Sequence, residues 1–201
     1  MKSFVQFLKE MLSTPEAVVV TFMRANPPTN GHEKLVNKMV DVAKDKGAKP
    51  IVYLSNSQDP KKNPLDFKDK VKLVKKAFPG VSVSSDSTLR TLFQIAGMLS
   101  DGGTKKFYLV VGSDRVEEFK KSLGKYVGAT TGSLQLKFDE FEVISAGQRD
   151  ENSDDVSGMS ASKMRKFVID DDSATFKTGL PKNIKSDYIK IFNLVKKGMK
   201  I

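Results

Sequence analysis

The sequence predicts an α/β fold of three layers, a mainly parallel sheet covered by helices on both faces with a small helical appendage at the C-terminus. Three observations carry this. Short β-branched runs alternate with stretches of helical periodicity, the pattern of βαβ units. Glycine and proline punctuate nearly every change of period. The 201 residues, 39% hydrophobic and 29% charged, suffice for one domain with a sizeable core.

Ala17-Val-Val-Val-Thr-Phe22 reads as a strand buried on both faces. The breaker Ala25-Asn26-Pro27-Pro28 follows, then Thr29 as N-cap of a helix with apolar positions Leu35, Met39, Val42 and Ala43, closed by Gly47. Ile51-Val-Tyr-Leu54 is the next strand, and Phe67, Val71, Val74 and Phe78 mark a helix that stops before Pro79-Gly80. Val81-Ser-Val83 is a short strand, and Leu89, Leu92, Phe93, Ala96 and Leu99 mark another helix. Phe107-Tyr-Leu-Val-Val111 is the most strand-like run, leading into Gly112-Ser113-Asp114 and a helix with Val116 and Phe119. A last strand is expected over residues 134–144, and helices after Ser160 and from about residue 183 to 197. The chain divides accordingly into an N-terminal helical extension (1–13), a main domain (14–170) and a C-terminal helical segment packed on it (171–201).

Composition removes several classes of function. With no cysteine there is no disulfide framework, thiol nucleophile or Cys-ligated zinc, and a single histidine leaves little for a His/carboxylate metal site. No apolar run approaches the roughly 20 residues of a membrane-spanning helix, and Lys2, Lys9 and Glu10 break up any signal-peptide core. A cytoplasmic protein without membrane association is expected. The net charge of +10 calls for anionic partners, phosphate-bearing small molecules or nucleic acid. The lysine-rich stretch 61–76 reads as the solvated face of a helix, Asp170-Asp171-Asp172 as a polar helix end, and Phe176 and Phe192 as core.

Chemistry is expected at the carboxyl ends of the strands. In Met23-Arg-Ala-Asn-Pro-Pro-Thr-Asn-Gly-His32 two prolines stiffen the turn, and Gly31 leaves the helix start open to a ligand. The only histidine, His32, can add a donor beside the N–H groups that attract phosphate there. In Ser157-Gly-Met-Ser-Ala-Ser-Lys-Met-Arg165, Ser162 and Arg165 share one helix face and Met164 and Val168 another. A hydroxyl and a guanidinium fork at a second helix start again suit phosphate.

The first of these segments resembles the G-R-F-x-P-x-H-x-G-H motif of the nucleotidylyltransferase superfamily, and Met159-Ser-Ala-Ser-Lys-Met-Arg165 resembles its I-S-S-T-x-x-R signature. Asn63-Pro-Leu-Asp-Phe-Lys-Asp-Lys70 is similar to N-P-F-x-x-x-E-R of the nicotinamide-nucleotide enzymes, and Val111-Gly-Ser-Asp114 to their G-x-D turn. Gly-Met-Ser-Ala-Ser-Lys-Met-Arg with a later Gly-Leu-Pro resembles cytidylyltransferase-like proteins of tailed phages, which would put the chain in a host cytoplasm. Met23, Ala25 and Thr29 depart from the usual glycine, aromatic and first histidine, and Lys70 stands where an Arg is usual.

The resemblance implies a Rossmann-like fold and transfer of AMP or CMP from ATP or CTP to a small phosphate-bearing acceptor, with release of pyrophosphate. Mg²⁺ would be bound mainly through the nucleotide phosphates, with no protein ligand assigned. It implies His32 and Arg165 as catalytic residues. His32 would contact the phosphate at the reacting centre, with Asn26, Thr29 and Gly31 around it, and Ser160, Ser162 and Arg165 would hold the β- and γ-phosphates. Arg24 and Lys163 would add phosphate contacts, while Gly112 and Asp114 would help position the nucleoside. The alternative is a non-catalytic nucleotide- or nucleic-acid-binding phage structural protein on the same fold. Leu8-Lys-Glu10 is also similar to the Leu-x-Glu signal of phage prohead proteases, which would imply packaging into a virion.

Overall fold

The computed structural model describes residues 14–147 and 159–201. The expected N-terminal helix, Leu8-Lys-Glu10, and Ser157 and Gly158 of the second motif lie outside them. Five strands form one sheet: β1 (Ala17–Met23), β2 (Lys49–Leu54), β3 (Ser82–Val83), β4 (Lys106–Val111) and β5 (Glu140–Ser145), in the order β3-β2-β1-β4-β5. Every pairing is parallel. The helices are α1 (Asn30–Lys46), α2 (Phe67–Ala77), α3 (Leu92–Asp101), α4 (Val116–Gly124), α5 (Ala161–Ile169), α6 (Ser173–Thr178) and α7 (Tyr188–Met199). This is the Rossmann-like α/β fold.

The period of two along the strands makes the layers. Val19 and Met23 of β1 with Tyr108 and Val110 of β4 face a cluster containing Val36 and Met39 of α1, Val71 and Val74 of α2, and Met164 and Val168 of α5. Val18 and Val20 with Phe107, Leu109 and Val111 face the other side, where Leu92, Ile95, Ala96 and Leu99 of α3 and Leu123 of α4 pack. The first cluster also takes in Phe176, Leu180, Ile184, Ile191, Phe192 and Val195, so the C-terminal helices share the main core. Phe176 and Phe192 meet edge to face at 5.3 Å between ring centroids.

Two expected elements differ. The last strand begins at Glu140, although the alternation Leu134, Leu136, Phe138 already has period two. Leu136 and Phe138 are buried as loop side chains, and the Lys137 N–H donates to Ser100 Oγ at 2.8 Å instead of to a neighbouring strand. The last helix starts at Tyr188, because Lys182–Asp187 winds as a 3₁₀ helix after Pro181. The aspartate run is a helix junction, as expected: Asp172 caps α6 by accepting from Thr175 N–H at 2.9 Å, and Asp171 pairs with Lys196 at 2.6 Å. Among the described residues no helix is long and apolar enough to cross a membrane.

Candidate functional site

The strand order reverses between β1 and β4, so the carboxyl ends of these two strands form the crevice where such sheets bind ligands. The turn after β1 opens there. Arg24 is exposed, whereas Ala25, Asn26, Pro27, Pro28 and Thr29 are all buried. Ala25 is fully buried with φ at 46°, a left-handed conformation that disfavours bulky side chains. An aromatic ring there would have to be seated in this buried, left-handed position.

Asn26 links three segments. Its Oδ1 accepts the Leu65 N–H at 2.8 Å, and its carbonyl accepts from Arg165 Nη1 at 2.9 Å across 139 residues of sequence. The Asn26 side chain is 1% exposed. Its Nδ2 and the Oδ1 of Asn63 are buried without a hydrogen-bond partner among the described residues.

Thr29 and His32 form a capping box in which histidine takes the place of the usual Glu or Gln. The Thr29 N–H donates to His32 Nδ1 at 3.1 Å, and Thr29 Oγ1 lies 2.9 Å from the same nitrogen. A backbone N–H can only donate. Nδ1 is therefore the acceptor, and the hydrogen of the neutral ring sits on Nε2. The helix terminus is less open than expected, because the Asn30 N–H donates to the Gly179 carbonyl at 3.0 Å and Asn30 Nδ2 to the Thr178 carbonyl at 3.0 Å. The C-terminal segment thus closes part of α1's first turn.

The second motif behaves as its spacing predicts. Ser160 caps α5 by accepting from Lys163 N–H at 3.2 Å, Met164 and Val168 are buried, and Arg165 Nη2 donates to Ser162 Oγ at 3.1 Å. Two of the five guanidinium N–H donors are spent on Asn26 and Ser162, which fixes the plane of the fork. Burial pulls the pKa of Arg165 below its ordinary value; Asp59 opposes that shift and the nearby Arg24 adds to it. Two cations from opposite ends of the sequence therefore share one field. A Cβ on Gly31 would stand 3.3 Å from the Met159 carbonyl, so α1 and the loop before α5 touch at the one position without a side chain.

Gly112 and Asp114 sit at the end of β4 on the same sheet edge. A Cβ on Gly112 would be 2.6 Å from Asp114 Oδ1, so the carboxylate folds over the glycine. Among the described residues no three His, Asp or Glu gather as a metal cage.

Two residues outside the expected site are held by bonds that the sequence did not predict. Asp59 accepts from the N–H groups of Lys62 (2.6 Å) and Lys61 (3.0 Å) and from Asn63 Nδ2 (2.6 Å), bonds that hold its carboxyl below the usual range. Lys70 breaks the expectation of a solvated lysine face: it is fully buried, and its ammonium donates to the Ser55 carbonyl. The signal for it was phase, since position 70 lies between Phe67 and Val74 on the stripe that α2 buries.

No protein-family profile and no curated protein sequence match the chain. Among solved structures it is similar to Thermotoga maritima TmcAL (apo, form I), with a TM-score of 0.52 and 12% identity over 88% of this chain and 57% of that one. The chain thus spans little more than half of that protein. At this identity the likeness concerns the fold.

Proposed function

We propose that the chain is a nucleotidylyltransferase that moves AMP or CMP from the triphosphate to a phosphate-bearing acceptor and releases pyrophosphate. The observation that carries this reading is the Arg165–Asn26 hydrogen bond, which joins two phosphate-type helix starts at the switch point of the sheet. An acceptor phosphate oxygen forms a bond to the α-phosphorus while the bond from that phosphorus to the β-bridging oxygen breaks. His32 donates from Nε2 to the reacting phosphate. Arg165, Ser162, Lys163 and Arg24 balance charge on the leaving pyrophosphate. Mg²⁺ belongs to the substrate and neutralises its phosphates.

Pyrophosphate release from ATP and CTP across a panel of phosphomonoester acceptors tests the reading. Turnover with at least one pair is expected. Nucleotide binding without pyrophosphate from any pair would favour the second reading, a nucleotide- or nucleic-acid-binding protein on this fold. The observation behind that alternative is the Asn30 N–H already held by Gly179.

A further inference from the structure

Lys70 is an internal cation on an apolar stripe where Leu or Met would satisfy the helix phase. Burying an ammonium is costly unless its N–H groups find acceptors. The acceptors here are main-chain carbonyls of Ser55 and, at 3.5 Å, Ser57. Both lie just past the end of β2, where the ladder runs out. On one side the ladder ends with Ser55 N–H to Met23; on the other β3 is two residues long and its last bond is Ser84 N–H to Val52. The carbonyl of the buried Ser55 lies beyond that point and needs a donor from elsewhere.

The far end of the same loop is tied as well. Asp59 and Asn63 exchange backbone hydrogen bonds at 3.0 and 3.1 Å, and Leu65 is held by Asn26. The loop 55–63 is thus anchored by Lys70 at its start and by Asn26 just beyond its end, and the Asn26 carbonyl in turn accepts from Arg165.

We infer that Lys70 is a positioning residue: its buried ammonium holds the 55–63 loop as a fixed wall of the site, and through that wall supports the Asn26 turn that holds Arg165. The consequence for turnover rests on the transferase reading above; the stiffness of the loop does not. Loosening the wall should weaken nucleotide binding more than it slows the chemical step, because Lys70 itself touches no reacting atom.

Hydrogen exchange by mass spectrometry on the full chain, combined with nucleotide titration and steady-state kinetics, tests this. In Lys70→Met, amides of residues 55–63 should exchange at least about tenfold faster, a local loss of ~1.4 kcal/mol. Amides of Lys106–Val111 should be unchanged. KM for the triphosphate should rise by a larger factor than kcat falls, and Lys70→Arg, which keeps the cation, should recover part of both effects. Unchanged protection of 55–63 overturns the proposal, and so does faster exchange with unaltered nucleotide affinity. If Lys70→Met does not fold, Lys70→Gln is read by the same criteria. A chain without turnover whose loop loosens and whose ATP or CTP affinity drops in calorimetry would defeat the transferase reading and leave the role of Lys70 standing.

Discussion

His32 does two jobs that substitutions can separate. Its Nδ1 caps α1 through Thr29, while Nε2 carries the hydrogen proposed to meet phosphate. His32→Ala should lose about 1 kcal/mol of stability, as for other lost N-caps, and about 10²–10³ in kcat, as for one lost transition-state donor. His32→Gln restores a capping box and should recover the melting temperature without the turnover. Wild-type kcat in His32→Gln would remove His32 from the chemistry. Lys70 makes a second prediction at this scale. Burial lowers its pKa from 10.5 to about 8, partly opposed by Asp66. The folded state therefore sheds this proton before the unfolded chain does. Stability should rise with pH between about 8 and 10.5 by up to ~1.4 kcal/mol per unit relative to Lys70→Met, and the advantage is lost as pH falls through 8. Urea midpoints for the two proteins across that range give the comparison, and parallel curves would refute it.

Between elements, the site depends on contacts that only glycine permits. A Cβ on Gly198 of α7 would run into the carbonyl of Pro64, which is backbone and cannot swing aside. Gly198→Ala should cost about 1–3 kcal/mol by overpacking, seen as a lower denaturant midpoint. Because Pro64 adjoins the Leu65 N–H held by Asn26, the same variant should also weaken nucleotide binding. Gly124, at the end of α4, is the control: a Cβ there would lie 3.8 Å from a Phe141 ring carbon, an ordinary contact, so Gly124→Ala should be neutral or slightly stabilising. Equal losses in the two variants would mean that the α7 contact has no special weight.

For the molecule as a whole, the C-terminal helices are part of the main core, and their polar termini complete the site. Phe176, Leu180, Ile184, Ile191, Phe192 and Val195 are buried with Val19, Met39 and Val74, and Thr178 and Gly179 hold Asn30. A chain ending at Asp170 would expose that surface and should show no cooperative unfolding transition by calorimetry; a sharp transition would show that the rest of the chain folds independently. Charge is divided at the same scale. Segments 61–76 and 159–201 hold seventeen of the thirty-four Lys and Arg but only six of the twenty-four Asp and Glu, so the positive charge is gathered around α2 and the C-terminal helices.

Much of this was legible in the residues. Continuous apolar, β-branched runs at residues 17–22, 51–54 and 107–111 specify strands buried on both faces, and Thr29 and Ser160 mark helix starts, because caps and apolar runs are local properties of the chain. Spacing likewise put Ser162 with Arg165 and Met164 with Val168. What spacing could not supply was anything decided by a partner distant in sequence. Leu134 to Phe138 has a strand's period but pairs only as a single bridge between Leu136 and Val127, while Ser100 takes the Lys137 N–H. The bonds that tie Asn26 to Leu65 and Arg165, and the narrowing of the start of α1 by Gly179, join residues that no local spacing connects. Lys70 sits in a run of solvated lysines and is the one that the fold buries, since its acceptors are carbonyls fifteen and thirteen residues earlier that only the packed α/β arrangement brings within reach.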